Sequence, residues 1–215
     1  MKYKKHTLPN GLRVIYIPVR GNPSVTTMVM VETGSNYETK EQGGLSHFLE
    51  HMCFKGTTNR PTALDIAREM DSMGAYNNAF TMNEMTGYYA KAEKKHFSKL
   101  LEILADMYLN PIFPQEDLEK ERGVSLQEIS MYEDLPQDNV YNFFTKLMYG
   151  DTPAGRPIIG QATAARREIL AWLERYVSVY LARIEELRSE IEERLGRLAQ
   201  PRGRRALAAC REALL

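Results

Sequence analysis

Residues 43–52 read GGLSHFLEHM, and this stretch determines most of what the sequence predicts about fold and function. Two glycines precede a predicted helix over residues 45–54, on which His47, Glu50 and His51 lie at i, i+3 and i+4 and therefore share one face. Two imidazoles one turn apart can chelate a single zinc ion at about 2.0–2.1 Å each. Glu50 points the same way, where it can take a proton from a water molecule that the metal makes acidic. A match of five residues is also compatible with an ordinary helix that carries two histidines.

A third metal ligand is expected, because a catalytic zinc site has three protein ligands and an open position for water. The candidates lie on a second predicted helix, over residues 114–131. Glu121 and Glu128 are seven positions apart there, close to two full turns, so their side chains face the same side. Either can be the ligand while the other supports the site by hydrogen bonding, or both can be solvated surface charges. The spacing alone does not choose between them.

Around these two helices the sequence predicts a mixture of strands and helices. Strands are predicted over residues 12–17, 25–31 and 86–92. A helix begins after Pro61, with Thr62 and Asp65 spaced as a capping box. A further amphipathic helix, which ends at Asn110, is predicted to bury one apolar face. The residues of that face are Phe97, Leu100, Leu101, Leu104 and Tyr108. This mixed order predicts an α+β fold, a sheet with helices packed on one face.

The composition changes near residue 161. Every lysine lies before that point, whereas 11 of the 17 arginines lie in residues 161–215. So abrupt a shift predicts a domain boundary, with an α+β domain over residues 1–161 and a helical tail of divergent composition over residues 162–215. The tail carries one apolar stripe, which favours a helix packed on its own domain over a coiled coil. The stripe consists of Ile184, Leu187, Ile191, Leu195 and Leu198.

The overall composition argues against several classes of partner. Basic and acidic residues balance at 28 each, which gives no reason to expect nucleic acid or an anionic membrane as a partner. The sequence lacks an apolar run near the roughly 20 residues that a spanning helix needs. The basic start of the chain lacks the features of a secretory signal. Two cysteines, Cys53 and Cys210, are too few for a disulfide framework, so we expect a cytoplasmic protein in which Cys53 is a core residue.

Several separated segments together resemble the pitrilysin/insulinase family of zinc peptidases, the inverzincin group that includes mitochondrial processing peptidase and its bacterial relatives. The first resembles the opening hairpin of the family, two match its zinc helix and the turn beyond, one matches the strand that follows, and the last matches its third-ligand helix. These segments are residues 7–14, 43–52, 54–57, 78–81 and 121–129. The resemblance covers about residues 3–160, and the motifs taken together are highly specific.

The resemblance implies a zinc-dependent endopeptidase that hydrolyses extended peptides or unfolded proteins. It implies His47, His51 and Glu128 as zinc ligands, and Glu50 as the catalytic base. Glu121 is implied as the accessory catalytic glutamate.

Asn78, Ala79 and Phe80 fall where the family pairs an edge strand with the substrate backbone, which holds a peptide whatever its side chains. The resemblance also implies that this chain matches only the first of two similar halves. A partner subunit or a second copy in a homo-oligomer is therefore expected to supply the rest. The alternative is a non-catalytic peptide-binding or scaffold subunit that assembles through its helical tail.

Overall fold

A computed structural model describes residues 3–160 of the chain. The strands in this range are β1 Lys4–Thr7, β2 Arg13–Tyr16, β3 Ser24–Val31, β4 Tyr76–Thr81 and β5 Thr86–Glu93. The α-helices are α1 Leu45–Met52, α2 Ala63–Ser72, α3 Phe97–Leu109, α4 Gln115–Asp134 and α5 Pro136–Tyr149. None of these helices has the length and apolar character needed to cross a membrane. The predicted helical tail over residues 162–215 lies outside the described residues, so the domain boundary near residue 161 stays a prediction.

The main sheet is antiparallel, with its strands in the order β3-β5-β4. Its two faces differ, because side chains alternate along each strand. Val29 of β3 lies opposite Tyr88 of β5 and packs against the core, whereas its neighbour Met28 is exposed on the other face. The helices cover one face of the sheet, which confirms the predicted α+β class. Strands β1 and β2 form a separate antiparallel hairpin.

The core between sheet and helices is built largely from α3. Its fully buried side chains are Leu100, Ile103, Leu104 and Met107. They meet Ile66 and Met70 of α2 and Ala90 of β5. Each such aliphatic or methionine side chain contributes about 1.5–3 kcal/mol through burial. Leu101, which was predicted to lie on the apolar face, is 43% exposed, because the face that packs on the sheet is narrower than the predicted stripe.

Two local predictions are confirmed in detail. Thr62 and Asp65 form a reciprocal capping box at the start of α2: the Thr62 side chain accepts from the Asp65 N–H, and the Asp65 carboxylate accepts from the Thr62 N–H. Cys53 is buried, and the Tyr88 hydroxyl donates to its sulfur at 3.5 Å. Burial raises the pKa of the Cys53 thiol to about 11.

A buried ion pair fixes the loop between α1 and α2. The guanidinium of Arg60 donates to Asp106 Oδ2 of α3 over 2.5 Å, and the Thr57 hydroxyl donates to the same oxygen over 2.6 Å. Burial acts to raise the pKa of Asp106, but hydrogen bonds from Thr57, Asn110, Asn59 and Arg60 together outweigh it and lower that pKa. Because the loop follows the histidine helix directly, this pair helps to hold α1 over the sheet.

Helix α5 was not predicted from the sequence, and it has no buried residue in the described structure. Its large apolar side chains are all exposed, up to 84% at Leu147. They are Val140, Tyr141, Phe143, Phe144, Leu147, Met148 and Tyr149. We call this set the α5 apolar surface.

Candidate metal centre

The histidine helix α1 is anchored at its start by Glu38. The buried carboxylate of Glu38 accepts hydrogen bonds from the backbone N–H of Gly44 at 2.8 Å and of Ser46 at 2.6 Å. A negative charge is favourable there, because the first N–H groups of a helix lack partners within the helix and carry the positive end of its dipole. Gly44 precedes the helix with a φ of 94°, which a residue with a side chain rarely adopts.

Apolar contacts set the position of α1 relative to α4. Phe48 and Met52 of α1 are buried in one cluster with Leu118 of α4 and Phe113 just before it. This places the histidine-bearing side of α1 opposite the middle of α4. This cluster holds the first turns of α4 against α1. The glutamates of α4 therefore lie close to the histidines.

His47, His51 and Glu128 converge on one point between the two helices. Their ligand atoms all lie within 4.8 Å of one another. Glu128 Oε1 is 3.9 Å from His47 Nε2, and Glu128 Oε2 is 3.8 Å from His51 Nε2. Both distances are too long for a hydrogen bond. The three donor groups therefore face each other across a gap instead of bonding directly.

The size and chemistry of this gap fit a zinc ion. Bonds of about 2.0–2.1 Å in a tetrahedral site place ligand atoms roughly 3.3–3.4 Å apart. The two separations between Glu128 and the histidines, 3.9 and 3.8 Å, are about half an ångström longer than that. Two imidazoles and one carboxylate are the ligand set of one common type of catalytic zinc site. Burial and the neighbouring His51 lower the pKa of His47 to about 4, so its imidazole is neutral at pH 7, as a metal ligand must be.

Glu121 lies behind His51, on the side of the imidazole that faces away from the gap. Its Oε2 is 3.0 Å from His51 Nδ1, which leaves His51 Nε2 directed at Glu128. Its Oε1 is 2.5 Å from the ammonium of Lys55. Burial acts to raise the pKa of Glu121, but Lys55 and His51 outweigh it and lower that pKa. A carboxylate on the far nitrogen of a histidine is the usual way to orient that histidine toward a metal.

Glu50 is buried on α1, the helix that carries the two histidines, and it interacts electrostatically with His51 and Glu128. Its Oε2 accepts a hydrogen bond of 2.5 Å from the Thr81 hydroxyl at the end of β4. Burial raises the pKa of Glu50, and the bond from Thr81 partly opposes that effect. A carboxylate with a raised pKa is a better proton acceptor than an ordinary surface glutamate.

Comparison with known proteins decides the family. The sequence pattern described as Insulinase (Peptidase family M16) matches residues 13–162 of this chain. The chain belongs to the insulinase family, M16. The resemblance stated from the sequence is thereby confirmed.

Relatives in the M16 family are closely similar over the same region. The chain is 43% identical over 160 residues to an uncharacterised zinc protease of Bacillus subtilis, YmxG, which covers 73% of this chain and 38% of that protein. It is 46% identical over 153 residues to an uncharacterised zinc protease of Rickettsia felis, which covers 71% of this chain and 37% of that protein. The chain thus spans less than two fifths of the length of these relatives.

Solved structures agree with the M16 fold. A protease from Helicobacter pylori superposes with a TM-score of 0.77 at 25% identity, covering 84% of this chain and 44% of that one. An M16 inactive domain from Pseudomonas fluorescens superposes with a TM-score of 0.73 at 17% identity, covering 82% of this chain and 43% of that one. The second likeness concerns the fold alone.

The three residues predicted to contact substrate lie on β4, the strand that ends at Thr81. Strand β4 is an edge of the described sheet, since β5 is its neighbour on one side. The Ala79 N–H donates to the side-chain oxygen of Asn78 at 2.9 Å. Phe80 lies over Gly87 of β5, where the ring fills the space that any side chain at Gly87 would need.

Three residues with contacts at this M16 site were not given roles from the sequence: Glu38, Lys55 and Thr81. Lys55 and Thr81 stand inside the segments that carry the family resemblance, but a one-dimensional pattern does not show what their side chains touch. Lys55 lies four positions after His51, the spacing of neighbours on one helix face, and this was the available signal. Thr81 contacts Glu50 from 31 positions further along the chain, whereas Glu38 is only six positions before Gly44.

Proposed function

We propose that this chain is the metal-binding and catalytic part of a zinc-dependent endopeptidase. His47, His51 and Glu128 hold the zinc, Glu50 is the base, and Glu121 supports His51. The observation that carries this proposal is the convergence of the three ligand groups, whose donor atoms all lie within 4.8 Å of one another. Membership of the M16 family and the names of its relatives support the same activity.

Each residue around the gap has a separate role in peptide hydrolysis. When bound, zinc supplies a Lewis acid that makes water acidic and polarises a peptide carbonyl. Glu50 takes the proton of the attacking water and passes it to the leaving amine, as a single carboxylate can act as base and then as acid. Thr81 holds one oxygen of Glu50, which leaves the other oxygen for the proton. Glu121 keeps His51 in the tautomer whose Nε2 faces the metal.

The substrate in this proposal is an extended peptide or an unfolded protein segment added to the free edge of β4. Its main chain pairs with Asn78, Ala79 and Phe80, which fixes the peptide without demanding particular side chains. Thr81 ends the same strand and contacts Glu50, so a peptide aligned on β4 runs toward the base. The Ala79 N–H becomes available once the Asn78 side chain rotates away from it.

We further propose that turnover needs a second polypeptide half, supplied by a partner or by another copy of the chain. The chain spans about 38% of the Bacillus subtilis relative, and the α5 apolar surface is exposed in the described structure. Large exposed apolar surfaces usually mark an interface. The zinc-loaded chain is therefore expected to self-associate in light scattering and to cleave peptides weakly when alone.

A non-catalytic peptide-binding or scaffold subunit is the second candidate, favoured by the short span relative to the relatives. It would not require an intact set of ligands and base, which is why we place it second. We also propose a cytoplasmic location, since Cys53 is a free, buried thiol and such thiols are typical of reducing compartments.

Zinc content and peptide cleavage, measured with and without a chelator, test the proposal. We expect about one zinc per chain and cleavage of a long unfolded peptide that the chelator abolishes and added zinc restores. A preparation that binds zinc but cleaves nothing, even with the remaining two thirds of a relative added, would favour the scaffold. A preparation without stoichiometric zinc would contradict the metal site itself.

A further inference from the structure

Lys55 lies just beyond the histidine helix and contacts Glu121, the residue that is hydrogen-bonded to the proposed ligand His51. Its backbone N–H donates to the Met52 carbonyl at 3.1 Å, which extends the last turn of α1 and directs the side chain toward α4. There its ammonium is 2.5 Å from Glu121 Oε1, while Glu121 Oε2 is 3.0 Å from His51 Nδ1. One carboxylate therefore bridges an ammonium and an imidazole.

The two glutamates of α4 differ in this respect. Glu121 has one oxygen on Lys55 and the other on His51, and its side chain is only 9% exposed. Glu128, two turns later, has only the two histidines as ion-pair partners among residues 3–160, each at 3.8 Å or more. Both carboxylates face the histidines, and spacing along the helix does not distinguish them. The contact with Lys55 does.

We propose that Lys55 is a positioning residue of the metal centre, which holds Glu121 on His51 Nδ1 so that Glu128 supplies the third ligand. With its outer oxygen on Lys55, Glu121 has one oxygen left, and the imidazole takes it. Without the ammonium, that outer oxygen loses its partner in a nearly buried place, and the carboxylate is free to turn. A turned Glu121 no longer orients His51, and it competes with Glu128 for the metal.

A purely structural salt bridge between α1 and α4 is the simpler account of the same contact. Such a bridge would affect the stability of the metal-free protein but would not act on zinc through Glu121. The two roles therefore differ in zinc affinity at equal folding, and in whether the effects of changing Lys55 and Glu121 combine. The inference rests on the proposed zinc site, so the experiment must also show whether that site exists.

The experiment measures the zinc dissociation constant of the full chain by competition with a chromophoric chelator at fixed pH. The variants are Lys55→Met, Lys55→Gln, Lys55→Arg, Glu121→Gln and the Lys55→Met/Glu121→Gln double variant. The matched control is Lys120→Met, since Lys120 lies on α4, pairs with Glu116 at 2.7 Å and is 61% exposed. Circular dichroism melts in chelator compare the folding of every metal-free variant.

We expect Lys55→Met and Lys55→Gln to bind zinc about 10- to 100-fold more weakly, the usual effect of losing an outer contact of a ligand. Lys55→Arg keeps the charge and should stay within a few-fold of the parent, and Lys120→Met should match it. The double variant should bind no more weakly than Glu121→Gln, because Lys55 acts through that carboxylate. If Lys55→Met does not fold, the zinc dissociation constants of Lys55→Gln and Lys55→Arg are compared in its place.

Two results would overturn the inference while leaving the zinc site intact. One is parent-like zinc affinity in folded Lys55→Met or Lys55→Gln. The other is a double variant whose loss equals the product of the two single losses, since Lys55 would then act independently of Glu121. A parent that binds no stoichiometric zinc, or a His47→Ala variant that keeps it, would instead remove the proposed site and this inference with it.

Discussion

The hydroxyl of Thr81, at the end of β4, donates a hydrogen bond of 2.5 Å to Oε2 of Glu50 on α1. This bond connects the strand proposed to hold the substrate with the residue proposed to accept the proton. A hydroxyl donating to a carboxylate forms one of the stronger hydrogen bonds in proteins. The bond therefore restrains the direction in which Glu50 presents its other oxygen.

Thr81→Val should keep the zinc and the substrate affinity but slow turnover. Valine has nearly the same shape and lacks the donor, so Glu50 loses its restraint. We expect kcat to fall about tenfold, which corresponds to about 1.4 kcal/mol, close to the lower end of the range for a hydrogen bond to a charged group. Thr81→Ser, which restores the hydroxyl, should recover most of the rate. Equal rates for the valine variant and the parent would contradict the role.

Glu50→Gln should keep stoichiometric zinc and lose peptide cleavage. The amide occupies the same space but does not accept a proton, and removal of a general base lowers rates by about 10²–10⁴-fold. Cleavage of a long unfolded peptide, measured in preparations freed of host proteases, checks this result. Glu116→Gln, an exposed position on α4, is the control and should behave as the parent does. Undiminished cleavage by Glu50→Gln would exclude it as the base.

His47→Ala and His51→Ala should each abolish stoichiometric zinc, since each removes one of three protein ligands. Metal content after dialysis, measured by atomic absorption, gives the result directly. His6→Ala is the matched control, because His6 lies on the exposed hairpin strand β1 and is not among the residues that converge on the gap. Zinc retained at the parent level in both histidine variants would contradict the assignment of the site.

The metal-free protein should lose stability as the pH falls from about 6.5 to about 4, partly through His47. Its pKa is lowered from 6.5 to about 4 in the folded state, by burial and by His51. Between those values the unfolded chain binds more protons, so the stabilising contribution is full above pH 6.5 and decreases toward pH 4. The free energy of unfolding should fall by about 3 kcal/mol through this group, since one pKa unit corresponds to about 1.4 kcal/mol. Urea unfolding in chelator should show a smaller loss over this range for His47→Asn than for the parent.

Asp106→Ala should destabilise the fold by about 3–5 kcal/mol, because it leaves the Arg60 guanidinium buried without its main partner. Chemical unfolding of the metal-free protein measures the effect. Glu102→Gln is the control, since this residue also contacts Arg60 but is about half exposed, and its loss should change stability by less than about 1 kcal/mol. Similar losses for the two variants would show that burial of the pair is not decisive.

Local sequence signals predicted much of this fold. The capping box of Thr62 and Asp65, and the end of α3 before Pro111, depend on residues a few positions apart and could be predicted from their spacing. Helix α5 was missed although Val140, Phe143, Phe144, Leu147 and Met148 recur at helical spacing; none of them is buried in the described structure. Such a stripe indicates a helix, but it does not show whether the apolar face is covered.

The candidate site shows the same division between near and distant contacts. His47, Glu50 and His51 share one helix turn, so their common face followed from the sequence alone. Spacing did not decide between Glu121 and Glu128, because what distinguishes them is an ion pair with Lys55, 66 positions before Glu121 in the chain. Thr81 likewise contacts Glu50 from 31 positions away, a pairing that exists only once the chain is folded. Glu38 is a near contact, six positions before Gly44.

The start of α1 also touches residues far downstream. A side chain at Gly44 would collide with the Ile159 carbonyl at 2.5 Å, and the Arg156 guanidinium reaches the Glu38 carbonyl at 3.4 Å. The start of the histidine helix thus packs against a segment that lies more than 100 residues later in the chain and is synthesised after it. A nascent chain can form α1 early, but the segment against which α1 packs is available only after residue 160 has emerged from the exit tunnel. Metal capture by the proposed site is accordingly expected to follow the emergence of residue 160.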